Sequence, residues 1–92
     1  MRFMTMEEQI KSALEAAFKP YSLIVINDSD KHLGHAGHDG TGQTHFRVKI
    51  IADAFTGRPR VARQRMVYDV LAPQFKSGLH ALSITALSTD ET

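Results

Sequence analysis

The chain contains no cysteine. That absence excludes a disulfide framework and a thiolate nucleophile, and it leaves any metal to be held by other ligands. Charge of one sign is missing as well. Eleven Lys+Arg stand against ten Asp+Glu, a formal +1, too balanced for a protein built around nucleic-acid phosphate or anionic lipid. Long hydrophobic runs are also absent: the longest, Leu23 to Ile26, covers four residues, far short of the roughly 20 that a membrane helix needs. Residues Met1 to Gln9 turn acidic at once, so no secretory signal is expected and a cytoplasmic location is. What is present is a hydrophobic fraction of 42% in 92 residues. That is enough for one small domain with its own core, spanning 1–92 with a body over about 6–87.

Apolar periodicity predicts an amphipathic helix over Met6 to Phe18, with Met6, Ile10, Leu14, Ala17 and Phe18 on one side. Thr5 is its N-cap, Glu8 completes a capping box, and Pro20 forces the stop. Tyr21 to Ile26 reads as a strand whose consecutive apolar residues imply burial on both faces or a central position. Residues 27–43 hold four of the six glycines and form a long Gly/His-rich loop, a type of segment that is usually functional. From His45 to Ile51 the pattern alternates, with Phe46, Val48 and Ile50 on one side. A second helix follows Pro59 and runs to about Ala72, where Pro73 ends it; 74–78 form a short connection with room for one irregular turn. Ala81 to Leu87 is a third strand, and Ser88 to Thr92 is a polar tail expected to fray. A hairpin makes the first two strands antiparallel. A helical crossover then makes the third parallel to the second, with both helices on one face.

Histidine is the chemical signal: His32, His35 and His38 in the loop, His45 after it, and His80 before the last strand. Imidazole is the commonest neutral metal ligand. The three loop histidines could bind zinc, copper or nickel, or simply be solvated, and His45 reads as an exposed strand residue. His80 shares the parity of Leu82, Ile84 and Ala86, which predicts a histidine hydrogen-bonded at the core side of the strand entrance. The topology brings it to the sheet edge where the long loop ends. Two imidazoles from separate segments make an incomplete metal site that needs ligands from a partner or water. Arg58, Arg60, Arg63 and Arg65 crowd into eight residues, yet at about 100° per residue they form no single stripe. Aromatic residues to stack on bases are scarce as well. No nucleophile, phosphate loop or defined acid–base pair supports an enzyme.

Thr44-His45-Phe46-Arg47-Val48, Phe55-Thr56-Gly57, Arg63-Gln64-Arg65-Met66-Val67-Tyr68 and His80-Ala81-Leu82-Ser83-Ile84 occur in this order and spacing. With them, the chain resembles the BolA family over about Met6 to Leu87. One departure is Gln64, where the family usually has histidine. The resemblance implies an α+β fold of αββαβ order, like a type II KH domain. It also implies a non-enzymatic adaptor that partners a monothiol glutaredoxin. The two proteins would share a [2Fe–2S] cluster to which the glutaredoxin contributes its cysteine and a glutathione thiolate.

On this resemblance His80 matches the C-terminal histidine ligand. The second ligand comes from the loop, best matched by His32, with His35 and His38 as further candidates. Arg63, Arg65, Lys76 and Leu79 would form the partner surface. The isolated protein would carry no cofactor and be a monomer or weak homodimer. The alternative is a transcription regulator binding DNA through Arg58, Arg60 and Arg63, although the Arg58-Pro59 segment lacks the Gly-X-X-Gly clamp of a KH domain.

Overall fold

The computed structural model describes residues 4–28 and 45–91. The first helix, α1 (Met6–Phe18), carries the expected capping box: the Glu8 N–H donates to Thr5 Oγ1 at 3.1 Å and the Thr5 N–H to Glu8 Oε1 at 2.9 Å. Met6, Ile10 and Leu14 are buried, with Ala13 and Phe18 packed against them. Ala17, expected on the same side, is exposed, because the packed stripe runs through Ala13 instead. The helix stops at Lys19 in a left-handed conformation, φ 45°, one residue before Pro20.

Three strands follow: β1 (Ser22–Asn27), β2 (His45–Ile51) and β3 (Ala81–Leu87), in sheet order β1-β2-β3. β1 pairs antiparallel with β2, and β2 pairs parallel with β3. The fold is thus α+β with a three-stranded mixed sheet. Phe46, Val48 and Ile50 lie buried on the helix-covered face, next to Leu82, Ile84 and Ala86 of β3. The expectation of a fully buried first strand is corrected. β1 is an edge strand, and Ile24 and Ile26 stand 48% and 44% exposed on the face that no helix among the described residues covers.

The crossover from β2 to β3 begins with a 3-10 turn, Asp53–Phe55, whose buried Phe55 ring packs 5.1 Å from that of Phe18. Gly57, at φ +75°, supplies the backbone conformation that turns the chain into α2 (Arg60–Val70). That helix breaks at Leu71, and a second short helix, α3 (Ala72–Ser77), replaces the expected connection. Pro73 therefore opens a helix rather than ending one, because it sits in a first turn, where a missing N–H leaves no bond unmade.

The tail also departs from expectation. Ser88 is buried, and Thr89–Glu91 form a 3-10 turn held by Arg63, by Asp53 and by Ser88 itself. Polar composition pointed to fraying, but the contacts with Arg63 and Asp53 are tertiary and have no local signature, while the Ser88 N–H and hydroxyl hold Glu91 within the tail itself. Thr92 lies outside the described residues.

Candidate functional site

β2 begins at His45, and the parallel register sets His45 beside Ala81. His80 is therefore carried to the same corner of the sheet, where the two imidazoles meet edge-on with ring centroids 6.3 Å apart and planes at 75°. His45 is half-buried rather than fully exposed. His80 is exposed, which corrects its expected place at the core side. The parity of Leu82, Ile84 and Ala86 does not extend to it because it precedes the first strand residue, and Leu79 fills the buried position at 2% exposure.

The corner opens into a shallow cleft of about 260 Å³ lined by Asp28, His45, Phe46, Ala81, Leu82 and Ser83. The Asp28 N–H donates to the His45 carbonyl at 2.8 Å, fixing the start of β2. The Asp28 carboxylate holds Arg47 through Nε at 3.0 Å and through a terminal guanidinium nitrogen at 2.9 Å. That carboxylate is thus turned to an arginine on the open face. His32, His35 and His38 lie outside the described residues. Among the described residues no group of three or more His, Asp or Glu could hold a metal ion. Two adjacent nitrogen donors, one of them open to solvent, can supply part of a coordination shell but not close one.

The arginines separate into two kinds. Arg58, Arg60 and Arg65 are exposed. The Arg63 side chain is only 11% exposed, and its guanidinium donates to the Arg58 carbonyl at 2.7 Å, the Ala86 carbonyl at 3.0 Å and Glu91 Oε1 at 2.6 Å. It is committed to the fold, which takes it out of the expected partner and nucleic-acid surfaces. Leu79, expected on a partner surface, lies in the core, whereas Arg65 and Lys76 are exposed. Gln64, the departure from the family's usual histidine, donates from Nε2 to the Ile84 carbonyl at 3.1 Å.

Sequence reasoning misses Tyr68. It is 41% exposed, its ring lies 5.4 Å from Phe75, and its hydroxyl donates to the Leu82 carbonyl at 3.3 Å. The signal for it is its place three residues after Arg65 on one helix face. The Glu91 carboxyl is held from the ordinary 4.5 down to about 2 by the Ser88 hydroxyl, the Ser88 N–H and the Arg63 guanidinium. No helix among the described residues is long and apolar enough to cross a membrane.

The family model described as BolA-like protein matches residues 14–91. Among curated relatives, the "uncharacterized protein in cobS 5′region" of Sinorhizobium sp. is 46% identical over 89 residues, 96% of each chain. The protein named DNA-binding transcriptional regulator BolA of Escherichia coli K12 is 35% identical over 88 residues, covering 96% of this chain and 80% of that one. Among solved structures, the BolA domain of SufE1 from Arabidopsis thaliana superposes with a TM-score of 0.86 at 42% identity, covering 99% of this chain and 100% of the other.

Proposed function

The chain belongs to the BolA-like family, and from that premise we propose that it is a non-enzymatic adaptor pairing with a monothiol glutaredoxin. The two proteins share a [2Fe–2S] cluster in iron–sulfur trafficking or iron sensing. The observation that carries this reading is the meeting of His45 and His80 at 6.3 Å in a chain without cysteine. Such clusters are ordinarily held by four thiolates. A protein with imidazoles alone has to be completed from outside, here by the glutaredoxin cysteine and a glutathione thiolate. The donor set fits that share: one solvent-open nitrogen ligand with a second beside it.

His80 is the first ligand. The second comes from the residues leading into β2: His32 first, then His35 and His38, with His45 as the candidate already placed beside His80. When bound, the cluster would supply one-electron chemistry at a potential raised by nitrogen ligation. The imidazoles must be unprotonated to bind, so shared ligation weakens in acid. Arg65 and Lys76, both exposed, contribute cationic contacts to the partner surface.

The test is an anaerobic titration of the protein into cluster-loaded monothiol glutaredoxin, followed by visible absorption and circular dichroism. A saturating change that His80→Ala abolishes supports shared ligation, and the effects of His32→Ala and His45→Ala identify the second ligand. An unchanged spectrum with the glutaredoxin dimer intact would overturn the reading.

A second reading, a DNA-binding regulator, has the exposed pair Arg58 and Arg60 at the head of α2 and the name of the E. coli relative in its favour. With Arg63 turned inward, those two carry it. Replacing both with alanine should weaken binding uniformly across sequences and lower the salt slope by about 0.9 for each phosphate that is no longer neutralised.

A further inference from the structure

The His80 side chain is exposed, yet the backbone that carries it is held on both sides. After it, Ala81 opens β3 in register with His45. Before it, Leu79 is anchored twice. Its side chain lies in the core at 2% exposure, and its N–H donates to the Gln74 carbonyl at 3.0 Å. The same carbonyl accepts the Gly78 N–H and, at 3.2 Å, the Ser77 hydroxyl. A bond from Leu79 back over five residues to Gln74 is the closure of a Schellman turn, which ends a helix through a residue at positive φ. α3 therefore runs into β3 through a closed turn, and His80 is the next residue after that turn.

The residue at positive φ is Gly78, with φ +138° and ψ −7°. Residues with a Cβ rarely adopt that conformation. Among the described residues, nothing lies within 4 Å of the place a Cβ would take. Packing does not ask for glycine at this position; the backbone does. A side chain here would meet open space and act only by pulling φ toward negative values. The stretch that would shift is the one between Gly78 and the fixed start of β3, and it contains His80.

We propose that Gly78 is a positioning residue for His80: its conformation, closed onto the Gln74 carbonyl, sets the imidazole at the corner where His45 stands 6.3 Å away. The backbone of the ligand is thus ordered by folding, so less freedom is left to lose on binding. The ligand role of His80 rests on the adaptor reading above, whereas the placement of the two imidazoles is a property of the free chain.

Gly57 supplies the control. It too has a positive φ, +75°, with nothing within 4 Å of a Cβ, but it lies in the chain leaving the other end of β2. Alanine at either position is strained, so both variants should lower the thermal melt. Only Gly78→Ala should weaken the nuclear Overhauser contact between the His45 and His80 rings in the free chain. In the titration with cluster-loaded glutaredoxin, Gly78→Ala should raise the apparent dissociation constant about tenfold, because small misplacements of a reacting group are costly. Gly57→Ala should leave it at the wild-type value. Gly78→Asn, which tolerates positive φ better, should fall between wild type and alanine, and it serves if the alanine variant does not fold.

A ring contact that is missing in wild-type protein, that is indifferent to residue 78, or that Gly57→Ala weakens equally would overturn the proposal. If wild-type protein shows a contact sensitive to residue 78 but no spectral change with glutaredoxin, the adaptor reading fails and the positioning stands.

Discussion

Arg63 shows how far a residue's role can lie from its local pattern. Among four arginines in eight positions it reads as a surface cation, yet two of its three partners, Ala86 and Glu91, are 23 and 28 residues away. No spacing rule reaches that far. Arg63→Met should therefore cost about 2 kcal/mol in a urea melt, since it strips a charged donor from the half-buried Ala86 carbonyl, the Arg58 carbonyl and Glu91. An exposed neighbour such as Arg65→Met should stay within about 0.5 kcal/mol. Glu91 gives the pH counterpart. Its carboxyl is more acidic in the folded chain, about 2 against 4.5, so between those values the unfolded chain binds more protons. The stability that Glu91 contributes is complete above about pH 4.5 and is lost as the pH falls through that window. Glu91→Gln should remove this part of the acid sensitivity, measured as Tm against pH, while leaving the remaining carboxylates to titrate. A wild-type and a variant profile of identical slope would show that Ser88 and Arg63 do not hold the carboxyl in solution.

Whole elements were more legible than single residues, because periodicity and caps act within a few positions. The Thr5–Glu8 box and the stop before Pro20 are local chemistry, and both are found where the sequence puts them. They make opposite predictions for the two ends of α1. Thr5→Ala removes a side-chain acceptor from the first turn and should cost about 1 kcal/mol. Lys19, a non-glycine residue at φ 45°, bears the left-handed penalty, so Lys19→Gly should gain up to about 1 kcal/mol in the same denaturant melt. A loss on that substitution would mean that the cap is not left-handed in solution. Two element-level expectations failed for a reason of context. Pro73 ends a helix only when its neighbours continue one, and the break at Leu71 let it open α3 instead. Four consecutive apolar residues looked like a buried strand, but burial depends on sheet order, and β1 lies at the edge.

At the scale of the molecule, the hairpin and the crossover were enough to give the sheet's order and directions, and with them the corner where His45 and His80 meet. The sequence did not show which side of the core boundary His80 occupies. That boundary separates two adjacent residues with opposite work. Leu79 is 2% exposed and among the largest buried side chains, whereas His80 is exposed beside His45. Leu79→Ala should cost about 2–5 kcal/mol through lost burial and the cavity left behind. Far-UV circular dichroism in urea would read that cost. His80→Ala should leave the same melt within about 0.5 kcal/mol and yet abolish the spectral change on titration with cluster-loaded glutaredoxin. Measured on both variants, the two experiments form a crossed pair: the melt responds to position 79 and the cluster spectrum to position 80. If His80→Ala also lowered the melt by more than about 1 kcal/mol, its lost spectrum could reflect a loosened sheet corner rather than a missing ligand. Rescue of the His80→Ala spectrum by added imidazole would then separate the two causes. The helix-covered face thus carries stability, and the proposed ligation lies at the corner outside it.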